Sequence, residues 1–217
     1  MLRKKQTSSS EYTFQDLMNA YRDLGVTKGR VVYVCSDLGR LMAFEKFDKE
    51  ATLEAHFEAL MRSVGPNGTI VVPTASINLC NTDKVFDPEL TPSFKTGVLS
   101  EFIRKLPGTK RSFHPFVSYS ARGKCASDIV DKVSRHAFGP ETPEARMVDK
   151  NALTINIGLL PRTACSTVHH VEMMMGVPYR YSKEFVHPVT RNGIITNECF
   201  YQHVWYLSLI HISEPTR

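Results

Sequence analysis

The stretch RVVYVCSDLG at residues 30–39 decides the fold. Its first six residues are apolar or β-branched with hardly a break, the pattern of a strand buried on both faces of a parallel sheet. Ser36, Asp37, Leu38 and Gly39 follow at once, at the carboxyl end of that strand, where open α/β sheets bind their ligands. On the N-terminal side, Thr13 offers a hydroxyl cap to a helix reaching Leu24. Phe14, Leu17, Met18, Tyr21 and Leu24 sit at helical spacing, and Gly25 closes it. On the other side, a helix over residues 49–64 ends at Gly65-Pro66-Asn67-Gly68. TIVVP at 69–73 then makes a second buried strand, with Thr74 and Ser76 at its end. Helix, strand, helix, strand predicts an α/β fold with a mostly parallel central sheet flanked by helices.

Farther along, residues 78–96 (NLCNTDKVFDPELTPSFKT) lack periodicity, as functional or disordered loops do. A short helix is expected over 97–106, a strand over 116–121 and a helix over about 126–136. Residues 153–157, LTINI, alternate as a half-buried strand does, and 158–164 reads as a loop. Ser166 or Thr167 then caps a helical run over 168–175, and residues 193–200 are strand-like. On the last helix His169 and Glu172 stand three residues apart, which puts them on one face within touching distance. A carboxylate that holds one ring nitrogen fixes the tautomer and leaves the other nitrogen as a general base. The plain alternative is a satisfied histidine beside a solvated glutamate.

Composition narrows the classes. Of 217 residues, 42% are apolar and 23% charged, ordinary for a soluble globular protein. The expected division is a disordered lead at 1–10, one α/β domain over 11–206, and a non-native tail at 207–217. A formal charge of +5 favours an anionic ligand but falls short of the basic stripe of a nucleic-acid binder. Five scattered cysteines without a C-x-x-C pair suggest neither a zinc ribbon nor a disulfide framework, so reduced thiols and a cytoplasmic location are expected. No apolar run has the length of a membrane span, and the N-terminus lacks a signal-peptide core. No metal, nucleic-acid or membrane partner is expected.

Six stretches, taken together, resemble one family, the aminoglycoside 3-N-acetyltransferases and their antibiotic N-acetyltransferase-like relatives. They are SDL at 36–38, VGPNGTIVVPTAS at 64–76, FDPELTPSFKTGVLSEFIRKLPG at 86–108, RSFHPFVSYSARG at 111–123, FGPETPEARM at 138–147 and STVHHVE at 166–172. Order and spacing agree over about residues 12–190. The resemblance implies transfer of an acetyl group from acetyl-coenzyme A to the 3-amino group of an aminoglycoside, on an α/β architecture unlike that of the GNAT acetyltransferases. It implies that His169 accepts the amine proton while Glu172 orients the ring. Ser36, Thr74, Ser76, Arg111 and Ser112 would hold coenzyme A, with the Arg111 guanidinium on a phosphate. His114 would touch the pantetheine or fill the core. Asp87 and Glu141 would meet a cationic acceptor.

The chain departs from the family at two places. Cys35 precedes Ser36, where relatives commonly carry His or a small residue. Relatives also continue well past the His–Glu helix, whereas LSLIHISEPTR at 207–217 looks like read-through of an adapter, so a C-terminal truncation is expected. Other readings stay open. The acceptor could be an amino sugar or a natural-product amine in biosynthesis, and Cys165 could carry the acetyl group covalently. His114, His169 and Glu172 could be metal ligands of a hydrolase, or the chain could be an inactive fragment that only binds coenzyme A.

Overall fold

The computed structural model describes residues 11–41, 43–45, 48–160 and 164–206. The expected lead at 1–10, the tail at 207–217 and part of the 158–164 loop lie outside these residues.

Apart from a short parallel pair, β1 (Glu11–Tyr12) with β3 (Ala43–Phe44), the main sheet gathers around β2 (Val31–Ser36), which is buried along its whole length. This strand is paired in parallel with β4 (Thr69–Pro73) on one side and β7 (Leu153–Ile157) on the other. β6 (Tyr119–Gly123) runs antiparallel to β4, and β5 (Lys110–Arg111) antiparallel to β6, giving the order β5-β6-β4-β2-β7. The sheet is therefore mixed, not mostly parallel. The cause is local: β5 and β6 are joined by residues 112–118, a turn too short for the crossover that parallel strands need. That turn is built on His114, whose Nδ1 accepts from the Phe116 and Val117 amides. It also delays β6 to residue 119, later than the alternation at 116–121 suggests.

Both faces of the sheet are covered, which explains the unbroken apolar run of β2. Val32 and Val34 face α1 (Phe14–Asp23), α2 (Lys49–Val64) and α3 (Val98–Lys105), meeting Leu17, Tyr21, Leu60, Leu99 and Ile103. Val31, Tyr33 and Cys35 point the other way, toward α4 (Ala126–Val130) and α5 (Pro143–Asp149). α1 begins in a capping box between Thr13 and Asp16, and α2 on the Asp48 side chain. α4 stops well before residue 136, because Lys132 takes a left-handed conformation at φ 50°.

The aperiodic segment 78–96 is held rather than loose. Arg104 donates to Glu89 O and pairs with Glu101, which in turn accepts from the Ser93 amide. Beyond α6 (Thr167–Met174) comes a long hairpin of β8 (Arg180–Arg191) and β9 (Ile194–Trp205). Its turn is Asn192-Gly193, both at positive φ as a two-residue hairpin turn requires. Sequence reading finds only part of β9. β8 is mostly exposed and carries Pro188, so its apolar alternation is weak. The hairpin packs Val189 and Phe200 onto Phe86 and Phe116, making a third core beside the sheet.

Candidate active site

A cleft of about 950 Å³ opens at the carboxyl end of β2. One wall is the turn from Ser36 to Gly39, another is Lys49 and Thr52 of α2, and a third is residues 95–98 at the start of α3. Glycine is what lets these walls meet. At Gly97, φ is 95° and an added Cβ would fall 2.4 Å from Ser36 O; at Gly158, φ is 68° and a Cβ would fall 2.3 Å from Asp37 O. No side chain can stand at either approach.

The last wall is the start of α6, with Cys165, Ser166 and His169. The contact expected from the three-residue spacing is present: His169 Nδ1 lies 2.9 Å from Glu172 Oε2. The ring is partly exposed, 37% for its side chain, while Glu172 is at 13%. His169 tilts against Phe138 at 5.3 Å between centroids. Glu172 has two further partners, Tyr179, whose hydroxyl donates to Oε1 at 3.2 Å, and Arg180, whose Nε is 2.8 Å from Oε2. Burial raises the Glu172 carboxyl, but the His169 hydrogen bond and the Arg180 charge outweigh it and hold the group below the usual range. With Nδ1 occupied, Nε2 is the ring nitrogen left for chemistry.

The helix start is fixed from behind. Glu144 of α5 is 1% exposed, and its carboxylate accepts from Tyr119 at 2.7 Å, from Ser166 at 2.5 Å and from Thr167 at 3.1 Å. Tyr33 reaches the Ser166 hydroxyl at 3.0 Å. Ser166 thus spends its hydroxyl on Glu144 and makes no side-chain cap to α6, although its carbonyl accepts the His169 amide.

The structure does not bring the other expected residues together here; of the expected coenzyme set, Ser36 alone lines the cleft. Arg111 was expected on a phosphate, yet its guanidinium is consumed by protein: Thr74 O, Ser76 Oγ, Thr91 O, Pro88 O and Ser118 Oγ all accept from it. Thr74 is fully buried against Ser120, Ser76 donates to Pro92 O, and Ser112 accepts from the Tyr119 amide. His114 lies in the third core, 5.2 Å from Phe200, where burial pushes its pKa down to about 3. It sits with that core and not with His169 and Glu172, and among the described residues no group of three candidate ligands could hold a metal. Asp87 ties its own loop by accepting from the Glu89 and Leu90 amides, and Glu141 pairs with Arg146.

Sequence reasoning missed Glu144, Tyr33, Arg180 and the two cleft lysines, Lys49 and Lys95. Tyr33 and Glu144 carry no local signal, since a tyrosine in a buried strand reads as core and a first-turn glutamate as a helix-dipole partner. The lysines were legible only as net charge.

Residues 36–209 match the family model described as aminoglycoside 3-N-acetyltransferase. The curated aminoglycoside N(3)-acetyltransferase IV of Salmonella sp is 34% identical over 173 residues, covering 78% of this chain and 62% of that protein. The chain thus spans less than two thirds of that relative's length. Among solved structures, a mutant of aminoglycoside acetyltransferase AAC(3)-IVa in complex with apramycin superposes with TM-score 0.71 at 27% identity, over 90% of this chain and 74% of that one. AAC-IIIb, solved as a binary complex with CoASH, shares the fold at TM-score 0.78 and 22% identity, over 89% and 76% of the two chains.

Proposed function

The chain belongs to the aminoglycoside 3-N-acetyltransferase family, and on that premise we propose that it moves an acetyl group from acetyl-coenzyme A to the 3-amino group of an aminoglycoside. The observation that carries the reading is the His169–Glu172 pair at the rim of a cleft placed where α/β sheets bind ligands. A thioester is already activated, so the protein must supply a neutral amine, placement and charge stabilisation. His169 Nε2 takes the proton from the acceptor ammonium or the attacking amine, while Glu172 holds Nδ1. The C–N bond forms, the tetrahedral intermediate collapses, the C–S bond breaks, and the coenzyme leaves as thiolate to be protonated. Transfer is direct. Lys49 and Lys95 place positive charge along the cleft for the coenzyme phosphates, and Ser36 offers a hydroxyl beside them. The donor is a cytoplasmic metabolite, so the reading places the enzyme there; no described helix is long and apolar enough to cross a membrane.

One observation favours a second acceptor class. Among the described lining residues Asp37 is the single acidic one, and it is paired with Arg40 at 2.8 Å. That is little negative charge for a polycationic antibiotic and suits an amino sugar bearing one amine. Thiol release from acetyl-coenzyme A with panels of aminoglycosides and simple amino sugars separates the two. The same assay on His169→Ala tests the base, with a loss of about 10²–10⁴ in rate expected. Turnover surviving in that variant would overturn the mechanism. Cys165→Ala retaining turnover would dismiss a covalent acetyl carrier.

A further inference from the structure

We propose that Arg180 sets the pH at which the His169–Glu172 pair takes up its proton, by sharing the carboxylate oxygen that holds the imidazole. The inference rests on the acetyl-transfer reading for its kinetic consequence, and on geometry alone for its electrostatic one.

Glu172 Oε2 lies 2.9 Å from His169 Nδ1 and 2.8 Å from Arg180 Nε, so one oxygen serves both. Arg180 reaches it from the first residue of β8, with its side chain only 7% exposed. It has no freedom to swing away. Its Nη1 donates to His203 O at 3.2 Å, and the guanidinium lies 4.2 Å from the Trp205 ring centroid. Trp205 is itself stacked on Tyr179 at 5.2 Å. Arg180 Nε makes the ion pair without hydrogen-bond alignment, so charge is what it contributes to the carboxylate.

The groups facing the pair are few. Tyr179 donates to the other carboxylate oxygen, Phe138 covers one side of the imidazole, and His203 approaches from β9 with both ring nitrogens lacking a partner. Burial first, and then the Arg180 charge, hold His203 low, which disfavours a further cation beside the pair. With a neutral imidazole the Glu172 and Arg180 charges cancel. Proton uptake then takes the cluster from zero to a net positive charge. Without Arg180 the same uptake would take it from negative to zero, which a half-buried site favours. A lone carboxylate would grip the imidazolium and return a sluggish base. The guanidinium loosens that grip while leaving the orienting hydrogen bond in place. Arg180 is in this sense a positioning and tuning residue, acting through Glu172.

The experiment compares wild type with Arg180→Met, which keeps length and loses charge, and Arg180→Lys, which keeps charge. The His169 ring is titrated by NMR in the free proteins, and kcat/KM is measured against pH. In Arg180→Met both the ring titration and the acidic limb are expected to move to higher pH, with the alkaline plateau changed far less. Arg180→Lys should hold both near wild type. A ring titration unmoved in Arg180→Met, or moved equally by Arg180→Lys, would overturn the proposal. If wild type shows no turnover, the acetyl-transfer reading fails while the ring titration still decides the role of Arg180.

Discussion

Ser166 gives its hydroxyl proton to Glu144 Oε1 at 2.5 Å, and the helix that carries His169 starts from that bond. Tyr119 and Thr167 donate to the same carboxylate. Replacing Glu144 by Leu removes the acceptor of the buried Tyr119 hydroxyl and of the part-buried Ser166 and Thr167 hydroxyls, and a buried polar group left stranded costs roughly 1–3 kcal/mol. Glu144→Leu is therefore expected to lose several times more stability than Glu144→Gln, which keeps one acceptor oxygen. Urea unfolding measures both. Equal losses for the two variants would show that the carboxylate is packing and not an acceptor.

The pattern of legibility follows from range. β2, β4 and β7, with α1 and α2, declare themselves by local periodicity and caps, and the structure places them as read. His169 and Glu172 were legible because three residues on a helix bring side chains together without help from the rest of the fold. Glu144 and Tyr33 reach the site across 22 and 133 residues of chain, beyond any local window, and Arg180, eight residues from Glu172, belongs to a strand whose path back to the helix no periodicity shows. Arg111 misled for another reason. Only the resemblance puts it on a phosphate, and five acceptors close around it, four of them 20 or more residues away in sequence.

Acid should weaken the fold from mild pH. His56 lies between the hydroxyls of Tyr12 and Tyr21, at 2.8 and 2.7 Å, and burial pushes its pKa down from 6.5 to about 4. The folded pKa is depressed, so the unfolded chain binds the proton first. Stability present above pH 6.5 is lost as pH falls from there through about 4, by on the order of 3 kcal/mol for this one residue. His114, depressed from 6.5 to about 3, adds to the fall over the same window and carries it on below pH 4. Urea unfolding between pH 7.5 and 4.5 should show stability declining steadily. A flat profile over that window would mean that neither imidazole is buried neutral.

Two glycines with positive φ should respond differently to alanine. Gly193, at the hairpin turn with φ 77°, has open space where a Cβ would stand, so Gly193→Ala costs only backbone strain, about 1 kcal/mol. Gly97→Ala adds a clash with Ser36 O, which lies in the cleft wall. We expect Gly97→Ala to cost more in thermal unfolding and to raise KM for acetyl-coenzyme A, with Gly193→Ala leaving KM unchanged. Identical KM values in both would disconnect the Gly97–Ser36 approach from donor binding.

Arg111 gives the sharpest contrast between a ligand and a staple. A phosphate ligand removed by Arg111→Met would weaken coenzyme binding and leave stability intact. The five acceptors around this guanidinium predict the reverse. Thr74 O and Ser76 Oγ lie at the end of β4, and Pro88 O and Thr91 O lie in segment 78–96, so Arg111 binds that segment to the sheet. Losing it leaves buried carbonyls unpaired, at a cost of roughly 3–5 kcal/mol. Lysine reaches with a single point charge and cannot replace the fork. Arg111→Met and Arg111→Lys should both make segment 78–96 the first site of limited proteolysis, ahead of global unfolding. The donor KM of whatever folded enzyme survives should stay close to wild type. A large rise in KM with the segment still protected would return Arg111 to the coenzyme.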